Sequence, residues 1–261
     1  MKSKKTSDTV FLLGAGSSIN SVDNWEEIAT NDSVGVNLFL AHDFPPTFIS
    51  MEIPDDPQEK EGLRRLVWHK PRRYWEKTYV LVKRPFWRVR DVDLEFLKIF
   101  GLTAANFNFI RTRCFGAKSI ENLLKSTTRD MAHVKKWGGP FFFGQGVASI
   151  EMLCSMLVYL GYKKIVFVGV DLNNKDYFYE STEYNFLKEG GIKLMSGQQG
   201  KVHKTNDPIN AWGSLPVTQV LRAYERYYQS YGVEFFCSSK ESTLAKYFPL
   251  WKTEVDGGAS S

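Results

Sequence analysis

The chain has 261 residues, of which 43% are hydrophobic and 15% aromatic, so it can bury a full core and fits one large domain better than two small ones. Its formal net charge of +5 favours an anionic partner only mildly. No run is long and apolar enough for a spanning helix, and the basic start Lys2–Lys5 lacks a signal peptide's apolar segment. We therefore expect a soluble, cytoplasmic protein.

The predicted elements alternate between strands and helices along the chain. Strands are predicted at Val10–Leu13, Val34–Asn37, Thr47–Met51, Tyr79–Val82 and Val233–Cys237. Helices are predicted at Asn24–Ala29, Gln58–His69, Val92–Phe100 and Ser119–Val134, with a further one from Val217 to Tyr231 between Pro216 and Gly232. Such alternation predicts an α/β fold: a doubly wound, mainly parallel, Rossmann-like sheet with helices on both faces.

The segment Leu160–Asp171 is the most informative part of the chain. Apolar residues at helical spacing lead up to Gly161, which suits a left-handed helix end, and a β-rich run then ends on Asp171. Ligands of open α/β sheets bind at the carboxyl ends of the strands, so we expect Asp171 to face the site. The alternative is that Asp171 only caps the next turn.

A polar stretch, about residues 173–213, follows this strand. A long connection at a strand's carboxyl end is often a lid over a ligand, and the alternative is a solvated insertion. Residues 1–251 are predicted to form one domain that includes this lid, and residues 252–261 a disordered tail. The three cysteines, Cys114, Cys154 and Cys237, are interpreted as buried reduced thiols.

A glycine turn follows the first predicted strand. Backbone amides of Gly14-Ala15-Gly16 can approach a phosphate closely, and Ser17 and Ser18 add hydroxyl donors. The third glycine of a dinucleotide fingerprint is absent, and no lysine follows as in a phosphate-binding P-loop. An oxidoreductase or a methyltransferase therefore stays open but is not favoured.

These segments together resemble the bacterial sialyltransferases that cap lipooligosaccharides, and they are similar to the related domain of flagellar motility-associated factors and of some Kdo transferases. The family's first turn is similar to Gly14-Ala15-Gly16-Ser17-Ser18-Ile19, and its Leu-Gly-Tyr-Lys segment to Leu160–Asp171. Its His-Ser-Lys-Asn-Thr-Asp segment is similar to His203-Lys204-Thr205-Asn206-Asp207. The resemblance is good over about 10–37 and 147–249 and poor between them.

The resemblance implies a GT-A-variant, sialyltransferase-like fold and an inverting glycosyltransferase. The enzyme would move a nonulosonic or ulosonic acid sugar, sialic acid-like or Kdo, from a CMP donor to a saccharide acceptor of a surface glycan. His203 would be the general base, and Tyr177 and Tyr179 would support the leaving phosphate. The donor-binding residues implied are Gly14, Ala15, Gly16, Ser17, Ser18, Asn37, Gly146, Asp171 and Asn173.

Neither a metal nor a cofactor is implied, because CMP leaves with a single phosphate and Asp91-Val92-Asp93 more plausibly starts a helix. His42, His69 and His133 are interpreted as ordinary structural or surface histidines.

Three departures from the family pattern predict an altered donor pocket. Ala15 replaces an Asn, no Arg precedes the glycines of Phe141–Gly146, and Ser50 and Glu52 stand near a missing Asn. The sugar therefore need not be sialic acid itself. The alternatives are a noncatalytic nucleotide- or glycan-binding domain and another Rossmann enzyme that uses NAD or S-adenosylmethionine.

The stretch Arg64–Arg90 is rich in basic and aromatic residues. It fits a nucleic-acid surface, a site for anionic glycolipid or a solvated helix-strand pair. We favour a glycolipid acceptor and peripheral contact with an anionic membrane, at its inner face, and expect no nucleic-acid partner. The oligomeric state stays open.

Overall fold

A computed structural model of the chain describes residues 2–85, 99–100, 107–114, 118–137, 142–146, 148–173, 176–192, 194, 203–208 and 215–252. Within these ranges the strands are β1 Thr9–Leu13, β2 Asp32–Val36, β3 Phe48–Met51, β4 Tyr79–Pro85, β5 Phe107–Cys114, β6 Phe142–Gln145, β7 Lys164–Val168 and β8 Glu234–Cys237. The helices are α1 Trp25–Thr30, α2 Pro57–His69, α3 Arg72–Lys77, α4 Ile120–Trp137, α5 Ser149–Leu160, α6 Asn185–Glu189 and α7 Val217–Gln229. The predicted α/β alternation is confirmed.

These strands form one sheet in the order β6-β5-β4-β3-β2-β1-β7-β8, and every neighbouring pair is parallel. From β1 the chain builds outward in one direction as far as β6, and β7 then returns to the other side of β1. The order therefore reverses between β1 and β7. Doubly wound sheets bind their ligands in the crevice outside the carboxyl ends of the strands at such a reversal.

Both faces of the sheet are covered by apolar packing. Val10 and Leu12 of β1 point into a cluster formed with α4, α5 and α7, and we call this side the α5 face. Phe11 and Leu13 point the opposite way, into a cluster formed with α1, α2 and α3, which we call the α2 face. Burial on both faces explains why the central strands read as continuous apolar runs rather than alternating ones.

The junction between α5 and β7 follows the sequence prediction closely. Gly161 has φ of +95° and its amide donates to the carbonyls of Leu157 and Val158, which ends the helix in a left-handed cap. β7 begins three residues later and lies beside β1. Asp171 thus comes just beyond the carboxyl end of a central strand.

The structure differs from the sequence predictions in several elements. β5, β6, α3 and α6 were not predicted; β5 carries Asn108 and the polar run Arg111-Thr112-Arg113 among its apolar residues, which conceals a strand inside a parallel sheet. The predicted strand Val34–Asn37 ends one residue early, because Asn37 begins a 3₁₀ helix, Asn37–Ala41. The predicted helix Val92–Phe100 and tail lie largely outside the described residues.

Cys154 and Cys237 are buried free thiols, as predicted. Burial raises the pKa of both thiols, so they stay protonated and unreactive at neutral pH. Among the helices that the structure describes, none is long and apolar enough to cross a membrane.

Candidate active site

The glycine turn after β1 is joined directly to the end of β7. The amide of Gly14 donates to the carbonyl of Val168 at 2.7 Å, and that of Gly16 to the carbonyl of Gly169 at 2.7 Å. A Cβ atom at Gly14 would lie 2.3 Å from the Gly169 carbonyl oxygen, so the glycine permits this close approach of two backbones. These two amides bind the neighbouring loop, whereas the sequence suggested amides that face a phosphate.

Asp171 fastens the same turn with its side chain. Its carboxylate accepts two bonds from Ser18, from the amide at 2.9 Å and from the hydroxyl at 2.5 Å. A Cβ atom at Gly16 would lie 2.4 Å from this carboxylate. Asp171 therefore caps the 3₁₀ helix Ser17–Ser21, in the turn after β1 rather than in the turn that follows it along the chain.

Asn37 stands at the carboxyl end of β2, beside β1, in a strained and partly unsatisfied state. Its φ is +49°, and its side-chain Oδ1 is buried without a hydrogen-bond partner among the residues that the structure describes. Leu172, just after Asp171, has φ of +54°. Strained non-glycine residues and orphaned buried acceptors cluster at functional sites, and both features occur here beside the β1–β7 reversal.

The start of the predicted lid packs on the glycine turn. Tyr177 forms an isolated antiparallel bridge with Gly16, and the amide of Phe178 donates to the carbonyl of Ala15 at 3.1 Å. The rings of Tyr177 and Tyr179 stack with centroids 5.2 Å apart. Burial raises the pKa of both phenols, so they stay protonated and can donate hydrogen bonds.

His203 lies in a short loop that is anchored to the start of α7. Its Nδ1 is 2.8 Å from Oγ1 of Thr205, whose carbonyl accepts a 2.8 Å bond from the amide of Val217. Burial, and secondarily the charge of Lys204, lower the pKa of His203, which favours the neutral imidazole.

The position of this loop follows from the connection between β7 and β8. These strands are parallel neighbours, so α7 must run back along the sheet and begin near its carboxyl edge. His203 therefore belongs to the same edge as the glycine turn, on the α5 face, whereas Phe178 and Tyr179 pack on the α2 face. Residues 195–202, the part of the predicted lid just before His203, lie outside the described residues.

Gly146 lies far from the glycine turn, and the Asn173 side chain binds the loop after β8. The Gly146 amide donates to the carboxylate of Glu151, at the end of β6, five strand spacings or roughly 24 Å from β1 along the sheet. Asn173 donates through Nδ2 to the carbonyl of Glu241 at 3.1 Å, which ties the loop after β7 to the loop after β8. Their predicted roles in donor binding stay predictions.

A charged cluster that the sequence reasoning missed lies at the carboxyl edge of β3 and β4. Lys83 donates to the carboxylate of Glu52 at 2.5 Å and to the hydroxyl of Ser149 at the start of α5. Ser50, on β3, is buried, and within the described part of the chain its hydroxyl oxygen has no hydrogen-bond partner. The available signal was a basic residue, Lys83, directly after the apolar run from Tyr79 to Val82.

The basic and aromatic stretch divides between core and surface. Tyr74 and Trp75 are fully buried, whereas Trp68 is exposed and stacks under Arg64. Trp68 lines a cleft of about 360 Å³ on the α2 side, and a second cleft of about 530 Å³ separates α4 from α7. Neither cleft is lined by residues of the glycine turn. Within the described ranges, no group of three or more His, Cys, Asp or Glu side chains could hold a metal.

Sequence comparisons give no match, either to a protein-family model or to a curated protein. Solved structures do match. The alpha-2,3-sialyltransferase Cst-I from Campylobacter jejuni aligns with a TM-score of 0.52 and 17% identity over 94% of this chain and 82% of its own. CstII from the same organism, with the substrate analogue CMP-3FNeuAc, aligns with a TM-score of 0.50 and 16% identity over 93% and 86%.

A third structure, CST-II with a trisaccharide acceptor and CMP, aligns with a TM-score of 0.50 and 15% identity over 93% of this chain and 85% of its own. The chain has the fold of these sialyltransferases. The resemblance that the sequence motifs indicated is confirmed at the level of the fold. At such low identity the likeness carries no assignment of individual residues.

Proposed function

We propose that the chain is a glycosyltransferase that moves an acid sugar from a CMP donor to a saccharide or glycolipid acceptor. The proposal includes inversion at the transferred carbon, with a sialic acid-like sugar or Kdo as the donor sugar. It includes no metal ion and no cofactor, because the departing CMP carries only one phosphate.

The observation that carries the proposal is the state of Asn37. A buried amide oxygen without a partner, on a residue with φ of +49°, is costly unless a ligand donor completes it. Its position, one strand from the β1–β7 reversal, is where a doubly wound sheet binds a nucleotide. Further support comes from CstII and CST-II, whose structures hold CMP-3FNeuAc, CMP and a trisaccharide.

The roles of the residues follow from the chemistry of transfer. As the bond between the sugar and the phosphate breaks, the acceptor hydroxyl must lose its proton and the phosphate gains charge. We assign the proton to His203. This role requires the tautomer in which Nδ1–H donates to Oγ1 of Thr205 at 2.8 Å, so that Nε2 presents its lone pair as the base; the longer 3.4 Å approach of the Thr205 amide to Nδ1 suits the other tautomer. The protonated phenols of Tyr177 and Tyr179 donate to the leaving phosphate. The glycine turn, Ser17, Asn37 and the loop Asp171–Asn173 shape the donor pocket.

Calorimetry tests the donor class. We expect the chain to bind CMP in preference to UDP, GDP, NAD and S-adenosylmethionine. Binding of NAD or S-adenosylmethionine instead of CMP would move the chain to another class of Rossmann enzyme.

A substitution tests the base. His203→Ala should keep CMP affinity and lose transfer, measured as CMP released from CMP-sialic acid or CMP-Kdo in the presence of saccharide acceptors. His133→Ala, at an exposed position of α4, is the matched control and should keep both. Full turnover by the His203 variant would refute the assignment of the base.

A noncatalytic nucleotide- or glycan-binding domain is the second candidate, and the glycine turn favours it. Ala15 contributes only a methyl group, which packs against the α2-face cluster. The amides of Gly14 and Gly16 and the hydroxyl of Ser18 already have partners in the protein. CMP binding without transfer to any saccharide tested would select this candidate.

A further inference from the structure

Lys83 is a buried cation whose anionic partner is not buried. Its side chain is 1% exposed, whereas that of Glu52, 2.5 Å away, is 48% exposed. The ammonium also donates to the hydroxyl of Ser149. The pair is therefore asymmetric: the lysine is fixed inside the edge of the sheet, and the carboxylate reaches it from the solvent side.

This asymmetry decides which partner can be exchanged. A buried ammonium without an anion is strongly destabilising, so Lys83 must keep an oxyanion beside it. A half-exposed carboxylate can return to water at little cost in free energy, because hydrogen bonds to water replace most of its interaction with Lys83. An incoming oxyanion could thus take the place of Glu52 while the buried charge stays paired.

The surroundings of Lys83 suit such an oxyanion. Ser50 and Lys83 lie on the α5 face of adjacent strands, because side chains alternate along a strand and Phe48 and Leu81 lie on that face. The Ser50 hydroxyl oxygen is buried and has no partner in the described ranges. Helix α5 begins at Ser149, and its first turn already carries the buried carboxyl group of Glu151, so the helix start does not by itself attract a further anion. The features that favour an oxyanion are the buried Lys83 ammonium and the Ser50 hydroxyl, which lie on the same face at the same edge of the sheet.

The distance from the glycine turn is compatible with one substrate. β3 and β4 lie two and three strand spacings from β1, or roughly 10 and 14 Å along the sheet. A nucleotide-sugar can extend over this span. Asn37, directly after the intervening β2, would then lie between the two ends of the ligand. The donor of the proposed reaction carries two oxyanions, the phosphate and the sugar carboxylate.

We propose that Lys83 binds an oxyanion of the donor and that Glu52 is a stand-in which this oxyanion displaces. The inference rests on the proposed function, which it deepens by naming a specificity-determining residue for an anionic donor. While Glu52 is paired with Lys83, its carboxylate repels an anionic ligand at this site strongly and a neutral ligand only weakly. When the Glu52 side chain turns out to solvent, the anionic ligand can pair with Lys83.

The test compares three ligands by calorimetry: cytidine, CMP and CMP-3FNeuAc. Glu52→Gln removes the competing charge and should tighten binding of the anionic ligand that reaches Lys83 by about tenfold, with cytidine unchanged. Lys83→Met replaces the ammonium by an apolar side chain of similar length and should weaken binding of the same ligand by about 10- to 100-fold. A change already seen with CMP assigns the phosphate, and a change confined to CMP-3FNeuAc assigns the carboxylate.

Lys77→Met, at an exposed position of α3, is the matched control and should bind all three ligands as the parent does. Parent affinity for CMP and CMP-3FNeuAc in both test variants would overturn the inference and leave the proposed function intact. If Glu52→Gln, which leaves the buried ammonium without its anion, does not fold, Lys83→Met decides alone: unchanged or tighter binding overturns the inference. A parent protein that binds none of the three ligands overturns the proposed function and this inference together.

Discussion

Replacing Asn37 by Gly should make the protein more stable and a poorer nucleotide binder. The change removes a buried carbonyl oxygen that lacks a partner, worth about 1–3 kcal/mol, and relieves the left-handed backbone, worth about 1 kcal/mol. Glycine itself lowers the free energy of unfolding by about 0.5–1 kcal/mol, because it gives the unfolded chain more conformational entropy. The net gain in the free energy of unfolding is about 1–3.5 kcal/mol, which raises Tm by roughly 2–14 °C for a chain of this size.

The assay pairs thermal and urea unfolding with calorimetry for CMP. Loss of a hydrogen bond from the ligand to Asn37 should weaken CMP binding by about tenfold. Asn31→Gly is the matched control, because Asn31 has φ of −113° and its side chain accepts a bond from Ser7 and donates one to the carbonyl of Glu27. The control should lose stability and keep CMP affinity. A destabilised Asn37→Gly protein with parent affinity would refute the reasoning.

Two further predictions concern the turn and the base. Asp171→Ala should lower the free energy of unfolding, measured by urea titration, by about 3–5 kcal/mol, because two hydrogen bonds from Ser18 lose their acceptor. Ser18→Ala removes one of these bonds and should lower it by about half as much. Equal stability of the parent and both variants would contradict this prediction. If His203 is the base, kcat/KM should fall as pH drops through a pKa below 6.5, because only the neutral imidazole accepts a proton. Lys204→Gln removes a charge that lowers the pKa of His203, so the acid limb should move to higher pH, and a shift to lower pH would exclude His203 as the titrating group.

The elements that sequence reasoning predicted correctly are those whose signals are local. Gly161 ends α5 because a left-handed residue is needed there, and the apolar run that follows can only be a buried strand. β5 was missed because its polar residues, Asn108 and Arg111 to Arg113, look unlike a buried parallel strand, and its register with β4 is set by pairing rather than by composition. Asn37 was placed in the site by resemblance, but its positive φ depends on the turn into the 3₁₀ helix.

By itself the sequence determined the α/β class, the position of the glycine turn and the buried character of the central strands, because helix ends, turns and apolar periodicity act over a few residues. Only the tertiary structure decided that the strand order reverses between β1 and β7 and that Asp171 fastens Ser18, a residue 153 positions earlier. It also brought Lys83 to Glu52 and Ser149, 31 and 66 positions away. Such contacts depend on which strands become neighbours, and pairing between distant segments leaves no periodic trace in either one.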